Sequence, residues 1–234
     1  MSRLSIRSVV VTAIAAALTF ASITGTAGYL IGRYQGLPIV IPVEFRAGHP
    51  YQFVPKTPLI VFMPLWTQLI LLIVIGGITA LLLGRAHRVD GPNSHADADR
   101  MLHAAEAISL LGFVWISFQA LEAVQLTELW RRYYGGMGPV YNGALVTAIV
   151  LSIVIASRAA VKIGRPPAPE ADDDRLWRFT ALYFNPSDPA LFVPARYGYG
   201  LTLNFGRPIA IAIMVAILLT GLGGPFLLAR ALLR

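Results

Sequence analysis

The sequence predicts an all-α membrane protein with five transmembrane helices and two ordered interfacial loops, the second able to form a short β-hairpin. Of 234 residues, 56% are hydrophobic and 13% are charged, whereas a soluble domain carries about 25% charged residues. The apolar residues fall into five blocks, each near the ~20 residues that an α-helix needs to cross a bilayer. This composition excludes a soluble globular enzyme and a disordered chain. Because cysteine is absent, it also excludes a disulfide scaffold and a thiolate metal site.

The apolar blocks set the predicted helix positions. We expect spans at about 9–31, 59–83, 104–126, 140–157 and 208–228. Arg3 and Arg7 precede the first block, as basic residues also precede a secretory signal peptide. The apolar core of a signal peptide has only ~7–15 residues, so we expect the first helix to be retained rather than cleaved.

The distribution of lysine and arginine predicts the orientation of these spans. With the N-terminus inside, the cytoplasmic segments hold 12 Lys and Arg residues and the extracytoplasmic segments hold 7. Cytoplasmic loops are enriched in these residues. We therefore expect a cytoplasmic N-terminus and an extracytoplasmic C-terminus.

Two connections are too long to be simple turns and define the domain organisation. Residues 1–164 form a four-helix membrane region that includes the extracytoplasmic loop 32–58, where closely spaced prolines favour extended, strand-like backbone. Residues 165–175 combine prolines with acidic residues, as an extended linker does. Residues 176–234 hold a cytoplasmic interfacial hairpin, with apolar–polar alternation at 201–205, followed by the fifth helix.

Charged residues are absent from the middle of every apolar block. An ionisable group at the bilayer centre costs ~2.5–3.5 kcal/mol or more, and transporters and proton pumps keep such groups for function. Glu106 and Glu122 of the third block lie near the interfaces. Sixteen residues separate them, so they fall on different helix faces. A transporter or a membrane enzyme is therefore the least expected class.

Two other patterns on the third helix are candidate metal or ligand sites. His103 and Glu106, at i and i+3, share a face and offer two metal ligands. An acid in the first turn of a helix is the simpler interpretation, so we expect no metal. Gln119, Glu122 and Gln125 form a polar stripe that we expect to contact another helix or lipid headgroups; binding of a partner or a quinone-like ligand is the alternative. We expect no cofactor and no nucleic acid.

The second loop carries the densest pattern of the chain. Its Asn-Pro and Asp-Pro pairs initiate turns through side-chain-to-backbone hydrogen bonds. A compact structural hairpin is the favoured interpretation, and a recognition surface for a protein or a lipid is the alternative. The candidate binding residues are Asn185, Asp188, Arg196 and Asn204 here, and Glu44 and Lys56 in the first loop.

Both loops also carry motifs of a known kind. Residues 183–205 match the pattern YxNPxDPxxFVPxRxGxGxTLNF, and residues 37–56 contain Leu37-Pro38 and Ile41-Pro42 followed by Phe45. These segments resemble the C-terminal segment and the first periplasmic loop of SdpI-like, largely uncharacterised bacterial membrane proteins. Glu44 stands where that family has a histidine, so a role of that histidine does not carry over.

The resemblance implies a bacterial inner-membrane protein without catalytic activity, in toxin immunity or signal transduction. We therefore expect a non-enzymatic protein that binds a peptide, toxin or regulator through its loops. The alternative is an accessory subunit of a larger membrane complex, such as a respiratory or photosynthetic assembly. Besides the lipid bilayer, we expect one or more protein partners in the membrane.

Overall fold

The computed structural model of the chain describes residues 3–46, 49–87, 94–132, 137–164, 171–179, 182–194, 196 and 201–218. The helices in these ranges are α1 (Arg3–Tyr34), α2 (Pro58–Val61), α3 (Met63–Ala86), α4 (Ser94–Arg132), α5 (Pro139–Ile163) and α6 (Pro208–Leu218). The strands are β1 (Val40–Arg46), β2 (His49–Pro55), β3 (Trp177–Arg178), β4 (Leu182–Tyr183), β5 (Phe192–Pro194) and β6 (Leu201–Leu203). A 3-10 helix, Ala171–Leu176, precedes β3.

Four of the described helices are long and apolar enough to cross a membrane. The candidate spans are Ile6–Tyr34, Met63–Ala86, Ala98–Arg132 and Pro139–Ile163. They confirm the first four predicted spans and fit a multi-pass membrane protein. Of the predicted fifth span, the structure describes only the 11 residues of α6, and the remainder of 208–228 lies outside the described residues.

Helices α1, α4 and α5 extend beyond the apolar blocks that predicted them, whereas α3 begins at Met63 rather than near residue 59, because Pro58–Val61 form the separate short helix α2. α4 begins at Ser94 rather than near residue 104 and has 39 residues, which is longer than the ~20 residues that cross a bilayer. Its polar first turns are helical, although hydropathy does not mark them. α5 runs to Ile163 and is followed by Gly164 at φ +74°, the left-handed conformation that glycine adopts after a helix end.

The described chain divides into two compact units. Of the described residues, the first unit includes those up to Ala13, those of Val74–Leu110 and those of Ile153–Leu218, and the second includes those of Ile14–Ile73 and Leu111–Ser152. The largest core of the first unit combines α3 and α4 residues, with Phe192 of β5 and Ile213 of α6 packed against it. Its buried members are Ile78, Leu82, Met101, Ala104 and Ala105.

In the second unit, the core lies beneath a β-hairpin. β1 and β2 pair in antiparallel fashion with Ile41 opposite Val54, and the register is irregular on both sides of Glu44. Ile41 is fully buried and packs with Leu37 and Trp130. The strand-like structure predicted for the first loop is confirmed, although α1 continues to Tyr34 and shortens that loop.

The second loop is built from short strand pairs. β3 pairs with β4 and β5 pairs with β6, each in antiparallel fashion, and a parallel bridge joins Tyr183 to Asn204. This confirms a short hairpin in the loop and the predicted strand at 201–205, of which residues 201–203 are strand. Residues 171–176 form a 3-10 helix rather than an extended linker, and the proline-rich stretch 165–170 lies outside the described residues.

Candidate functional site

Asn204 is the hydrogen-bonding centre of the second loop. Its side chain is fully buried. The Oδ1 atom accepts hydrogen bonds from the backbone N–H groups of Asn185 and Gly206, each at 3.0 Å. The Nδ2 group donates to the carbonyl oxygens of Asn185 (2.8 Å), Ala190 (3.0 Å) and Asp188 (3.2 Å). One amide group therefore satisfies the backbone of two distant segments, as a buried polar side chain must.

The two predicted turns are closed by their own side chains. Asn185 Oδ1 accepts a hydrogen bond from the N–H of Ser187, and Asp188 Oδ1 accepts one from the N–H of Ala190 (3.1 and 2.8 Å). The Tyr183 hydroxyl donates to Asp188 Oδ2 and accepts from Asn185 Nδ2 (3.1 and 3.2 Å). The polar groups at Asn185 and Asp188 are thus engaged inside the loop, by the turn mechanism expected of Asn and Asp.

Gly206 allows the closest backbone approach in this loop. A Cβ atom at this position would lie 2.5 Å from both Asn185 C and Pro186 N. Those atoms belong to the backbone and are held by Asn204, so they have no room to shift. Glycine is therefore required where the chain passes from β6 to α6.

Arg196 has a different environment from the other three candidates of this loop. Its guanidinium is paired with the carboxylate of Asp174, within the acidic run. The Arg196 side chain is 16% exposed and that of Asp174 is 69% exposed. The structure therefore brings Asn185, Asp188 and Asn204 into one network and pairs Arg196 with the segment that precedes β3.

Lys56, a candidate in the first loop, closes the C-terminal end of α1. Its Nζ donates to the carbonyl oxygens of Tyr34 (3.1 Å) and Leu37 (3.0 Å), and it lies 4.8 Å from the centre of the Tyr34 ring. A lysine that binds the last carbonyl groups of a helix stabilises that end. Glu44 lies on β1 opposite Gln52, and its side chain lies outside the described residues.

The outer face of the β1–β2 hairpin is apolar and aromatic. Along β2, exposed and partly covered residues alternate. Tyr51 is 56% and Phe53 is 45% exposed, and Val40 of β1 is 44% exposed. Val54 points the other way, into the core with Ile41. We refer to Val40, Tyr51 and Phe53 as the outer face of the hairpin.

The polar stripe of α4 is half-buried. Gln119, Glu122 and Gln125 are each partly covered. Its role as a ligand site stays a prediction.

A polar cluster joins α1, α4 and α5 within the first unit. The sequence identified only its His103–Glu106 pair, and interpreted Glu106 as an acid in the first turn of a helix. That interpretation is wrong, because α4 begins at Ser94 and Glu106 lies in its interior. Ser8 Oγ lies 3.0 Å from His103 Nδ1 and donates to Glu106 Oε2 at 2.6 Å. Lys162 Nζ donates to both oxygens of Glu106, at 2.8 and 3.0 Å. Because the single proton of the Ser8 hydroxyl goes to Glu106, His103 must donate from Nδ1.

The geometry of this cluster is that of a clamp between helices. Ser8 is only 1% exposed, so a substrate does not reach its hydroxyl group. Glu106 binds Ser8 rather than orienting the far side of the His103 ring, as a nucleophile–base–acid arrangement would need. Among the described residues, no group of three His, Asp or Glu side chains could hold a metal ion.

The pattern that would have revealed Ser8 is a repeat along α1. Buried positions recur every three or four residues and are mostly small or hydroxylated, a composition that allows transmembrane helices to approach closely. They are Ser8, Thr12, Ala15, Thr19, Ile23, Thr26 and Leu30. The threonines donate to carbonyl oxygens one turn earlier in the helix.

Gln68 occupies a comparable position in the second unit. It is fully buried on α3, and its Nε2 group donates to Thr26 Oγ1 of α1 (3.1 Å) and to the carbonyl oxygen of Ile116 on α4 (2.9 Å). Its Oε1 atom has no hydrogen-bond donor within the part of the chain that the structure describes. Gln68 therefore links three helices through one end of its amide.

Comparison with known proteins places a family match on the second loop. The model of DUF5808, a family of unknown function, matches residues 186–211. This stretch contains Asp188, Asn204 and Gly206 and ends in the first turns of α6. No curated protein and no solved structure is significantly similar to the chain. Because the matched family is of unknown function, the match assigns no activity.

Proposed function

We propose that this chain is a non-enzymatic protein of the bacterial inner membrane that binds a peptide, toxin or regulator in immunity or signalling. The binding surface is the outer face of the β1–β2 hairpin, on the extracytoplasmic side. The N-terminus is cytoplasmic in this proposal, as the lysine and arginine distribution predicts.

The exposure of the outer face is the observation that carries the proposal. Tyr51 and Phe53, which are 56% and 45% exposed, stand at alternate positions of one strand. Tyrosine and phenylalanine are enriched at protein interfaces because they bury a large area at low cost in side-chain entropy. An aromatic pair on one strand face suits an apolar segment of a peptide or protein.

The base of the hairpin supports this role because it is fixed in place. Ile41 and Val54 pack against Trp130 of α4. Lys56 donates hydrogen bonds to carbonyl oxygens at the end of α1 and just after it. A surface that is ordered before binding loses less conformational entropy when a partner docks. The second loop is a weaker candidate, since the polar side chains of Asn185, Asp188 and Asn204 are hydrogen-bonded within it.

The accessory-subunit alternative is favoured by a separate observation on α5. Only 6% of the most apolar stretch of α5 is buried within the chain, compared with 28% of the corresponding stretches of α1 and α4. Ile149, Ile153 and Val154 are exposed on this helix. Lipid covers such a surface in a protein that acts alone, whereas a neighbouring subunit covers it in a complex.

Native mass spectrometry after gentle extraction from the source membrane separates these functions. The wild-type chain is compared with a Tyr51→Ser, Phe53→Ser double variant and with Ile153→Ala on α5 as a matched apolar control. We expect a stoichiometric partner that is lost in the double variant and kept in the control. A complex that survives the double variant but not Ile153→Ala supports the accessory role. A lone chain in all three samples contradicts both functions.

A further inference from the structure

We propose that Phe179 inserts into the interface of the bilayer leaflet at which α1 begins, and that it anchors the second loop to the lipid surface. The surface consists of Phe179 and Leu182, with Arg175 and Arg178 beside them. This inference concerns a different loop from the proposed partner site and does not depend on it.

The backbone at Phe179 is strained. Its φ of +49° makes it a positive-φ residue that is not glycine, and the left-handed region is unfavourable for a residue with a side chain. Strain of this kind persists where the surroundings impose it, and it accumulates at functional positions. The strained residue is also 88% exposed.

Several contacts hold the base of the β3–β4 hairpin together. The N–H of Phe184 donates to the carbonyl oxygen of Leu176 at 2.8 Å, and the rings of Trp177 and Tyr183 meet edge to face at 5.2 Å. The Arg178 guanidinium lies 4.1 Å from the centre of the Phe184 ring. A rigid base thus presents an exposed phenyl ring at the turn.

The loop packs close to the ends of two candidate membrane spans. Phe192 of β5 packs against the core that contains Leu82 and Met101. Leu82 is close to the end of the α3 span at Ala86, and Met101 is close to the start of the α4 span at Ala98. β5 pairs with β6, and Asn204, which follows β6, is bridged to Tyr183 of β4. β4 is therefore about two strand spacings, or about 10 Å, from β5.

The side chains of this surface, which we call the tip of the β3–β4 hairpin, fit a phospholipid surface. Aromatic rings are enriched at the headgroup level of membranes, and Leu182, 39% exposed, adds an aliphatic contact beside the ring. Arg175 and Arg178 are exposed and carry the charge that attracts lipid phosphates. Asp174, the last residue of the acidic run 172–174, is paired with Arg196, which reduces the repulsion between this one carboxylate and those phosphates.

The chain offers a direct test because it contains no cysteine. A spin label on Phe179→Cys is then the single label in the full-length protein, which is reconstituted in nanodiscs of phosphatidylcholine and phosphatidylglycerol. Collision with oxygen reports lipid exposure, and collision with an aqueous nickel chelate reports water exposure. Ser187→Cys, on an exposed turn of the same loop, is the matched control.

We expect the label at Phe179→Cys to be accessible to oxygen and protected from the nickel chelate, with the reverse at Ser187→Cys. Nickel accessibility as high as that of the control would overturn the proposal. So would protection from both reagents, since it would mean that protein rather than lipid covers the tip.

A second variant keeps the test valid if a label disturbs the hairpin. Phe179→Gly removes both the ring and the backbone strain. We expect it to leave the folded chain at least as stable to heat, while a label at Leu182→Cys gains nickel accessibility. Unchanged accessibility at Leu182→Cys in the Phe179→Gly background would contradict an anchoring role for Phe179.

Discussion

In the second loop, the polar side chains that the sequence motif emphasises are hydrogen-bonded to the loop itself, whereas the first hairpin keeps aromatic side chains on its exposed face. Asn185, Asp188 and Asn204 close turns and join strands. Tyr51 and Phe53 leave about half of their surface to solvent or to a partner. A segment with a dense sequence motif can thus use its polar residues to hold its own fold. A segment with fewer motif residues can present the more accessible surface.

The largest effect should come from the tightest backbone contact of the second loop. Gly206→Ala places a Cβ atom 2.5 Å from the backbone of Asn185 and Pro186. We expect it to destabilise the folded chain by about 3 kcal/mol, the upper part of the range for overpacking, because backbone atoms cannot yield. Thermal unfolding of the purified protein and hydrogen exchange over 183–206 measure this change.

Gly28→Ala on α1 is the matched control, since nothing lies within 4 Å of its added Cβ atom. We expect it to change stability by no more than about 1 kcal/mol, in the stabilising direction, because alanine favours helix over glycine. Equal effects of the two substitutions would show that the second loop is not closely packed at Gly206.

The next largest effect should come from Asn204→Asp. This change keeps the shape of the side chain but replaces the Nδ2 donor by a carboxylate oxygen that faces three carbonyl oxygens. We expect a loss of about 2–3 kcal/mol, since buried acceptors lose their donor and a charge is buried. Asn185→Asp should cost less, because it removes only the contact to Tyr183 and keeps the turn to Ser187. A larger loss of stability for Asn185→Asp than for Asn204→Asp would show that Asn204 is not the hydrogen-bonding centre of the loop.

The clamp formed by Ser8, His103, Glu106 and Lys162 allows a similar comparison between helices, of a buried polar cluster with an exposed ion pair. Glu106→Gln removes the charge that pairs with Lys162 and weakens the acceptor of Ser8. We expect a loss of roughly 1–2 kcal/mol, because charge-assisted hydrogen bonds exceed neutral ones by about that amount. The control is Glu128→Gln, which pairs with exposed Arg131 and Arg132 and should change stability by less than about 1 kcal/mol. Thermal unfolding in detergent that shows no difference between the two would contradict the clamp.

A smaller effect is expected at the base of the hairpin. Lys56→Met keeps the length of the side chain but removes its hydrogen bonds to the carbonyl oxygens of Tyr34 and Leu37. We expect a loss of about 1 kcal/mol, typical of one or two net hydrogen bonds, and faster hydrogen exchange confined to 34–56. Exchange that rises equally throughout the chain would mean that Lys56 supports more than the hairpin.

The smallest effect on stability should be on the outer face itself. Tyr51→Ser with Phe53→Ser removes side chains that are about half exposed, and surface changes of this kind usually alter stability by less than about 1 kcal/mol. Circular dichroism and thermal unfolding should therefore match the wild type. Unfolding of this variant would place the two rings in the core, against the role proposed for them.

Much of the fold follows from local patterns in the sequence. Hydropathy and length predict α1, α3, α4 and α5 as spans, and the Asn-Pro and Asp-Pro pairs predict the turns at Asn185 and Asp188. These features depend on residues close in sequence. Hydropathy alone does not predict the extended start of α4, because its first turns are polar.

The rest depends on residues that are distant in sequence. Ser8 meets His103 across 95 positions and Glu106 across 98, so no local pattern pairs them. The central position of Asn204 depends on its bridge to Tyr183, which lies outside its own strand. The repeat of small and hydroxylated residues along α1 is readable from the sequence and indicates which face is buried, but it does not identify the partners of that face.

The most direct test of the division between the two loops is photo-crosslinking in intact source membranes. A photoreactive amino acid replaces Tyr51 on the outer face in one sample and Ser187 in the second loop in the other, and adducts are identified by mass spectrometry. We predict one reproducible protein adduct from position 51 and none from position 187. An adduct from position 187 together with none from position 51 would contradict the account, because the second loop would then be the recognition surface.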